Sequence, residues 1–281
     1  MAKQTLLLGH SPDPDDAFMF YALAKGLVQS DKWDFQHVLQ DIQTLNERAL
    51  RGELHITAIS IHAYPYLKEQ YALLNCGASM GDRYGPLVVA RQPMTVEDLK
   101  GLEILIPGEM TTAFLALNLL LGPGNFRYRV VMFDQIMTQV AAGQADAGLI
   151  IHEGQLTYRN QDLHKIVDLG EWWHEDTGLP LPLGGNAIRR DLGVRDMREI
   201  ATILHQSIEL GLSRREEAVA YALGFARDMD RELADRFVGM YVNKWTLDFG
   251  DVGRGAVQTL LDRGCEAGLL PACGDLDFIR P

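Results

Sequence analysis

Few residues in this 281-residue chain have the type and spacing for chemistry, and most of their patterns fail on inspection. Gly77-Ala78-Ser79-Met80-Gly81 matches G-x-S-x-G, and Asp146 and His152 follow in the chain order of a hydrolase triad. That motif needs a helix directly after the serine to expose its hydroxyl on a sharp turn. Here Asp82-Arg83-Tyr84-Gly85-Pro86 and Leu87–Ala90 read as turn and strand. His152-Glu153 and His174-Glu175 each lack the second histidine of H-E-x-x-H, and the eight histidines show no ligand spacing, so no metal is expected. Gly122-Pro123-Gly124 has no third glycine and precedes a strand, and no P-loop is present, so no nucleotide cofactor is expected.

Three groups survive. His152 ends the apolar run Ala147–Ile151, where a neutral imidazole can accept a proton near neutral pH; a packing role for a lone strand-end histidine is the plainer alternative. Thr111-Thr112-Ala113 open a helix after the Pro107-Gly108 break, and helix-start N–H groups attract an anion such as a carboxylate. Thr111 serves equally well as a plain cap. Ser60 closes an apolar strand and offers a hydroxyl, which would otherwise bond to backbone.

The elements that must hold these residues alternate in type. Strands are predicted at Thr5–Gly9, Phe35–Leu39, His55–Ile61, Glu103–Ile106, Arg127–Met132 and Ala147–Ile151, with helices between them, which implies α/β architecture with parallel pairing. Asp15 or Asp16 is expected to cap a helix over Ala17–Lys25, and Ser213 with Glu216 to form a capping box for a helix reaching Met229. Asp41–Ile61 and Asp134–His152 repeat one order: acidic cap, helix, glycine, apolar strand. Two such units suggest two similar lobes whose strand ends, Ser60-Ile61 and Ile151-His152, face one cleft. Leu87–Arg91 and Asn186–Arg190 look like paired crossing strands, so one lobe is expected from residues 1–92 and 187–281 and the other from 93–186. Trp172, Trp173 and Trp245 are expected to pack at lobe edges, with stacking on a flat substrate the lesser possibility.

Composition narrows the class. Apolar residues make up 47% and charged ones 23%, enough for a large core, and the net charge of −12 argues against nucleic acid as a partner. The N-terminal apolar stretch is three residues, too short for a secretion signal; no run approaches a membrane span, and the three cysteines have no paired spacing. A cytoplasmic protein is expected, with no membrane partner.

Taken together, Ser11-Pro12-Asp13-Pro14-Asp15-Asp16-Ala17-Phe18-Met19-Phe20, Gly85–Arg91, Thr111-Thr112-Ala113, Ala147–Glu153, Gly178–Gly184 and Tyr241-Val242-Asn243 make the chain similar to the 1,4-dihydroxy-6-naphthoate synthases of the futalosine route to menaquinone. The resemblance spans nearly the whole length. It implies the two-lobed fold of type II periplasmic binding proteins and a cofactor-free lyase. Such an enzyme splits cyclic dehypoxanthine futalosine into 1,4-dihydroxy-6-naphthoate and dihydroxyacetone. It also implies that His152 is the proton acceptor and that Ala58-Ile59-Ser60 and Thr112-Ala113 contact substrate. The chain departs from the pattern at Asp13, Asp15 and Ala17, where Cys, Asn and Thr are expected, and at Glu109-Met110, which replace a more basic pair. The related chorismate dehydratase of the same pathway and a non-catalytic binding protein are the alternatives.

Overall fold

A computed structural model describes residues 3–226 and 229–281. In chain order, β1 (Gln4–His10), β2 (Trp33–Leu39), β3 (Ile56–Ser60), β4 (Tyr71–Leu74) and β5 (Ser79–Gly81) enter one sheet. The next five strands, β6 (Leu87–Ala90), β7 (Glu103–Ile106), β8 (Arg127–Val130), β9 (Ala147–Ile150) and β10 (His164–Asp168), build a second sheet. The chain then returns to the first sheet with β11 (Leu181–Arg189) and β12 (Phe278–Ile279). Both sheets are mixed: β1 runs parallel to β2 and β3, and β7 parallel to β8 and β9, while β11 and β6 run antiparallel to their neighbours.

The burial pattern explains the layering. Every residue of β3, β4, β6 and β9 is buried, as for strands covered on both faces. In the first lobe Leu6, Leu8, Ile56 and Phe18 pack against Ile200, Leu204 and Ile208 of the long helix Val194–Ser213. Each such buried side chain contributes roughly 1.5–3 kcal/mol through removal from water.

Several expectations are corrected. Leu87–Ala90 was assigned to the first lobe, but β6 is hydrogen-bonded between β9 and β10 in the second sheet. Leu181–Asn186 was assigned to the second lobe, yet β11 pairs with β3, β4 and β5 in the first. The two presumed hinge strands therefore never pair. The crossings are residues 82–86 and 169–180, and they touch: Leu169 donates its N–H to the Pro86 carbonyl at 2.9 Å. A Cβ on Gly170 would stand 1.9 Å from the Tyr84 oxygen, so this approach admits only glycine.

The first helix is Pro14–Met19, followed after Phe20 by the short Tyr21–Ala24. Proline suits the first helical position, so the helix starts earlier than the acidic residues suggested and neither Asp15 nor Asp16 caps it. Ser213 ends its helix by donating to the Leu210 carbonyl, and the next helix, Arg215–Ala222, has no side-chain cap. The part of the expected helix over residues 227–228 lies outside the described residues. Among the described residues no helix is long and apolar enough to cross a membrane.

Candidate functional site

Between the lobes lies a cavity of about 740 Å³, counted to its open mouth. All seven residues singled out by sequence line it: Ala58, Ile59 and Ser60 from β3, Thr111, Thr112 and Ala113 from the start of the helix Thr112–Leu121, and His152 after β9. The strand ends of both sheets thus converge on one space, as open α/β sheets do.

His152 has φ +55, a left-handed backbone unusual for a residue with a side chain. That turn places its Nδ1 3.3 Å from Oδ2 of Asp13, which follows β1 in the other lobe. The Phe133 ring packs edge-on against the imidazole, with centroids 4.9 Å apart. Nε2 is buried and has no hydrogen-bond partner. His62, two residues beyond β3, is tied down instead. Its Nδ1 bonds the Thr111 carbonyl at 3.0 Å, its backbone N–H donates to Thr112 Oγ1 at 3.2 Å, and burial keeps its pKa below the usual value. Of the two, only His152 lines the cavity.

The threonines are partly committed. Thr111 caps its helix, accepting from the Phe114 N–H and donating to the Gly108 carbonyl. Thr112 donates its hydroxyl to the Leu183 carbonyl at 2.6 Å and so ties the helix start to β11. What these residues can offer an anion is the first-turn N–H groups of Thr112 and Ala113, which have no partner within a helix. Ser60 is held by Asn46, which accepts from its N–H at 2.9 Å and donates to its Oγ at 3.0 Å. The Ser60 O–H remains able to donate into the cavity.

Sequence reasoning missed several lining residues. Asp13, Asp15 and Asp16 are all buried at the cavity wall. Burial, then the neighbouring charges of Asp16 and Asp13, push Asp15 up to about 8. Burial pushes Asp16 up to about 7, against the lowering effect of the Ser11 N–H, which donates to its Oδ2 at 2.6 Å. Phe237 and Tyr241 supply the aromatic wall, with the Tyr241 hydroxyl donating to Gln155 Oε1 at 2.6 Å. The tryptophans lie elsewhere: Trp173 is fully buried, its indole N–H on the Pro180 carbonyl. Asn46 sits on the buried face of the helix Ile42–Leu50 beside Leu45 and Ala49, and a polar residue on that face was the available signal. Ser79 lines the cavity but stands inside β5, with turn and strand after it, so the nucleophile-elbow geometry is absent. Among the described residues no group of three or more metal-ligating side chains is positioned for a metal ion.

The sequence model of a family described as menaquinone biosynthesis matches residues 6–266. The chain belongs to this menaquinone biosynthesis family. A protein of Streptomyces coelicolor named 1,4-dihydroxy-6-naphtoate synthase is 39% identical over 98% of this chain and 98% of its own. A protein of Thermus thermophilus with the same name is 41% identical over 95% of this chain and 96% of its own. A crystal structure of an Archaeoglobus fulgidus protein superposes with a TM-score of 0.90 at 42% identity, covering 95% of this chain and 98% of that one. The alkanesulfonate-binding protein of Xanthomonas axonopodis pv. citri, 14% identical, reaches a TM-score of 0.70 over 97% and 96% of the two chains. That likeness shows the fold: this chain is a two-lobed, periplasmic-binding-protein-like α/β protein.

Proposed function

We propose that this member of the menaquinone biosynthesis family is a carbon–carbon lyase that converts cyclic dehypoxanthine futalosine to 1,4-dihydroxy-6-naphthoate and dihydroxyacetone, with His152 as general base. The observation that carries the reading is His152 itself, a half-buried imidazole in a strained backbone at the cleft, with Nδ1 against a carboxylate and Nε2 unpartnered. The 1,4-dihydroxy-6-naphtoate synthase name of two full-length relatives supports the substrate class.

The chemistry asks little beyond a base, orientation and exclusion of water. His152 takes the proton of a substrate hydroxyl, whose O–H electron pair becomes a carbonyl bond as the adjacent C–C bond breaks. The electrons of that bond enter the ring that becomes the aromatic naphthoate, and aromatisation drives the step. A positioned base of this kind contributes about 10²–10⁴ in rate. Among the described residues no lysine or arginine lines the cavity, so a substrate carboxylate would be received by the N–H groups of Thr112 and Ala113. The raised pKa values of Asp15 and Asp16 favour their neutral forms and reduce the repulsion such an anion meets. The Phe237 and Tyr241 rings suit a flat bicyclic product. We divide the lobes as the sheets do, with residues 87–168 forming the second.

Incubation with cyclic dehypoxanthine futalosine and mass analysis tests the reading: dihydroxynaphthoate and dihydroxyacetone should appear together. Formation of 3-enolpyruvylbenzoate from chorismate instead would assign the dehydratase, and ligand binding without turnover of either compound would assign a binding protein.

A further inference from the structure

We propose that Asp13 is a positioning residue for His152: it holds the Nδ1 side of the ring across the cleft and balances the charge that the ring gains when Nε2 takes a proton. The proposal rests on the reading of His152 as base.

Both partners forgo a local preference to meet. Asp13 occupies the cap position of the helix Pro14–Met19, where an aspartate ordinarily accepts from first-turn N–H groups, yet its side chain makes no such bond. Its Oδ2 lies instead 3.3 Å from His152 Nδ1, with the carboxylate 1% exposed. His152 reaches that contact from a left-handed backbone, which a residue with a side chain adopts only when its surroundings enforce it. The pair joins the two lobes, since Asp13 follows β1 and His152 follows β9.

The chemistry follows from the distances. A carboxylate beside Nδ1 favours a proton there, which leaves Nε2 with the lone pair that accepts from substrate. When Nε2 is protonated the ring is cationic, and a negative charge at 3.3 Å with little water between stabilises it. The proton then leaves Nε2 for the product, and Nδ1–H stays in place throughout. Of the neighbouring acids, Asp15 also acts on His152, Asp16 is turned to the Ser11 N–H, and Glu153 is the buried carboxylate next in the chain. A cysteine, expected at position 13 from the resemblance, would lack the charge.

The test is nitrogen NMR of the His152 ring in the unliganded full chain, wild type against Asp13→Asn, combined with kcat and KM on cyclic dehypoxanthine futalosine. Asp13→Asn should weaken the preference for the Nδ1–H tautomer, so that the Nδ1 and Nε2 shifts move towards each other. It should lower kcat by about 10–10³-fold and change KM by less than about threefold, as for an interaction made mainly in the transition state. A variant that melts earlier while the His152 ring keeps the wild-type nitrogen shifts would overturn the proposal, as would unchanged kcat. Should Asp13→Asn not fold, Asp13→Cys removes the same charge and carries the same expectation. If the wild type does not turn over the compound, the function reading fails, while the NMR comparison still decides whether Asp13 governs the ring.

Discussion

Replacing Asp15 by Asn should make the protein more stable at alkaline pH, and the sign follows from the burial of the acid. Asp15 is held up to about 8, against an ordinary 3.8, first by burial and then by the charges of Asp16 and Asp13. The folded protein therefore binds a proton at this site more tightly than the unfolded chain does. The stabilisation from that proton is fully present below about pH 4 and is lost as pH rises through about 8. At about 1.4 kcal/mol per pKa unit the full span sets an upper limit of several kcal/mol, and sharing of the repulsion with Asp16 reduces it to about 2–4 kcal/mol for one substitution. Asparagine keeps the shape and carries no charge at any pH. Urea midpoints of wild type and Asp15→Asn should therefore be measured from pH 4.5 to 8.5. The difference in stability should swing towards the variant by about 2–4 kcal/mol across this range. Curves that run parallel over the whole range would refute the argument, because they would mean that Asp15 ionises as readily in the fold as out of it.

Two further substitutions separate structural from binding roles. Thr112→Val leaves the Leu183 carbonyl without its donor and the His62 N–H without its acceptor, so unfolding free energy should fall by about 1–3 kcal/mol. Calorimetric affinity for 1,4-dihydroxy-6-naphthoate should change little, since the backbone N–H of residue 112 remains; a large loss of affinity at unchanged stability would show that the hydroxyl meets the ligand. Asn46→Ala strips both anchors from Ser60 and should lower stability by about 2–4 kcal/mol and weaken the same ligand in the same titration. Retained affinity would place Ser60 outside the contact.

Local patterns carried much of the architecture. Buried runs such as Ile56–Ser60 and Ala147–Ile150 are legible because strands covered on both faces are apolar throughout. Asp41 and Thr111 are legible as caps because their side chains act within their own turn. Sheet membership is another matter. Leu87–Ala90 and Leu181–Arg189 carry no mark in sequence of the sheet each enters, and only long-range pairing decides that one joins β9 and β10 while the other joins β3 and β4. The expected seven-residue site lines one cavity, but the part supplied by Asp13, Asp15, Phe237 and Tyr241 was not legible. Asp13 lies in a turn-rich loop whose sequence points to Asp15 or Asp16 as the cap, and its approach to His152 depends on the two lobes being brought together. Ser213 with Glu216 shows the converse failure: a correct local signature is overridden because Ser213 still belongs to the preceding twenty-residue helix.

The most direct test of the central claim compares single-turnover rate with ligand affinity in His152→Asn. The substrate is cyclic dehypoxanthine futalosine, with mass detection of the naphthoate, and the affinity probe is the product naphthoate. Loss of the base should slow the chemical step by about 10²–10⁴-fold. Affinity should stay within about threefold of wild type, because binding rests on the N–H groups at Thr112 and Ala113 and on the aromatic wall. A His152→Asn protein that folds, binds and turns over at the wild-type rate would contradict the account and place the base elsewhere.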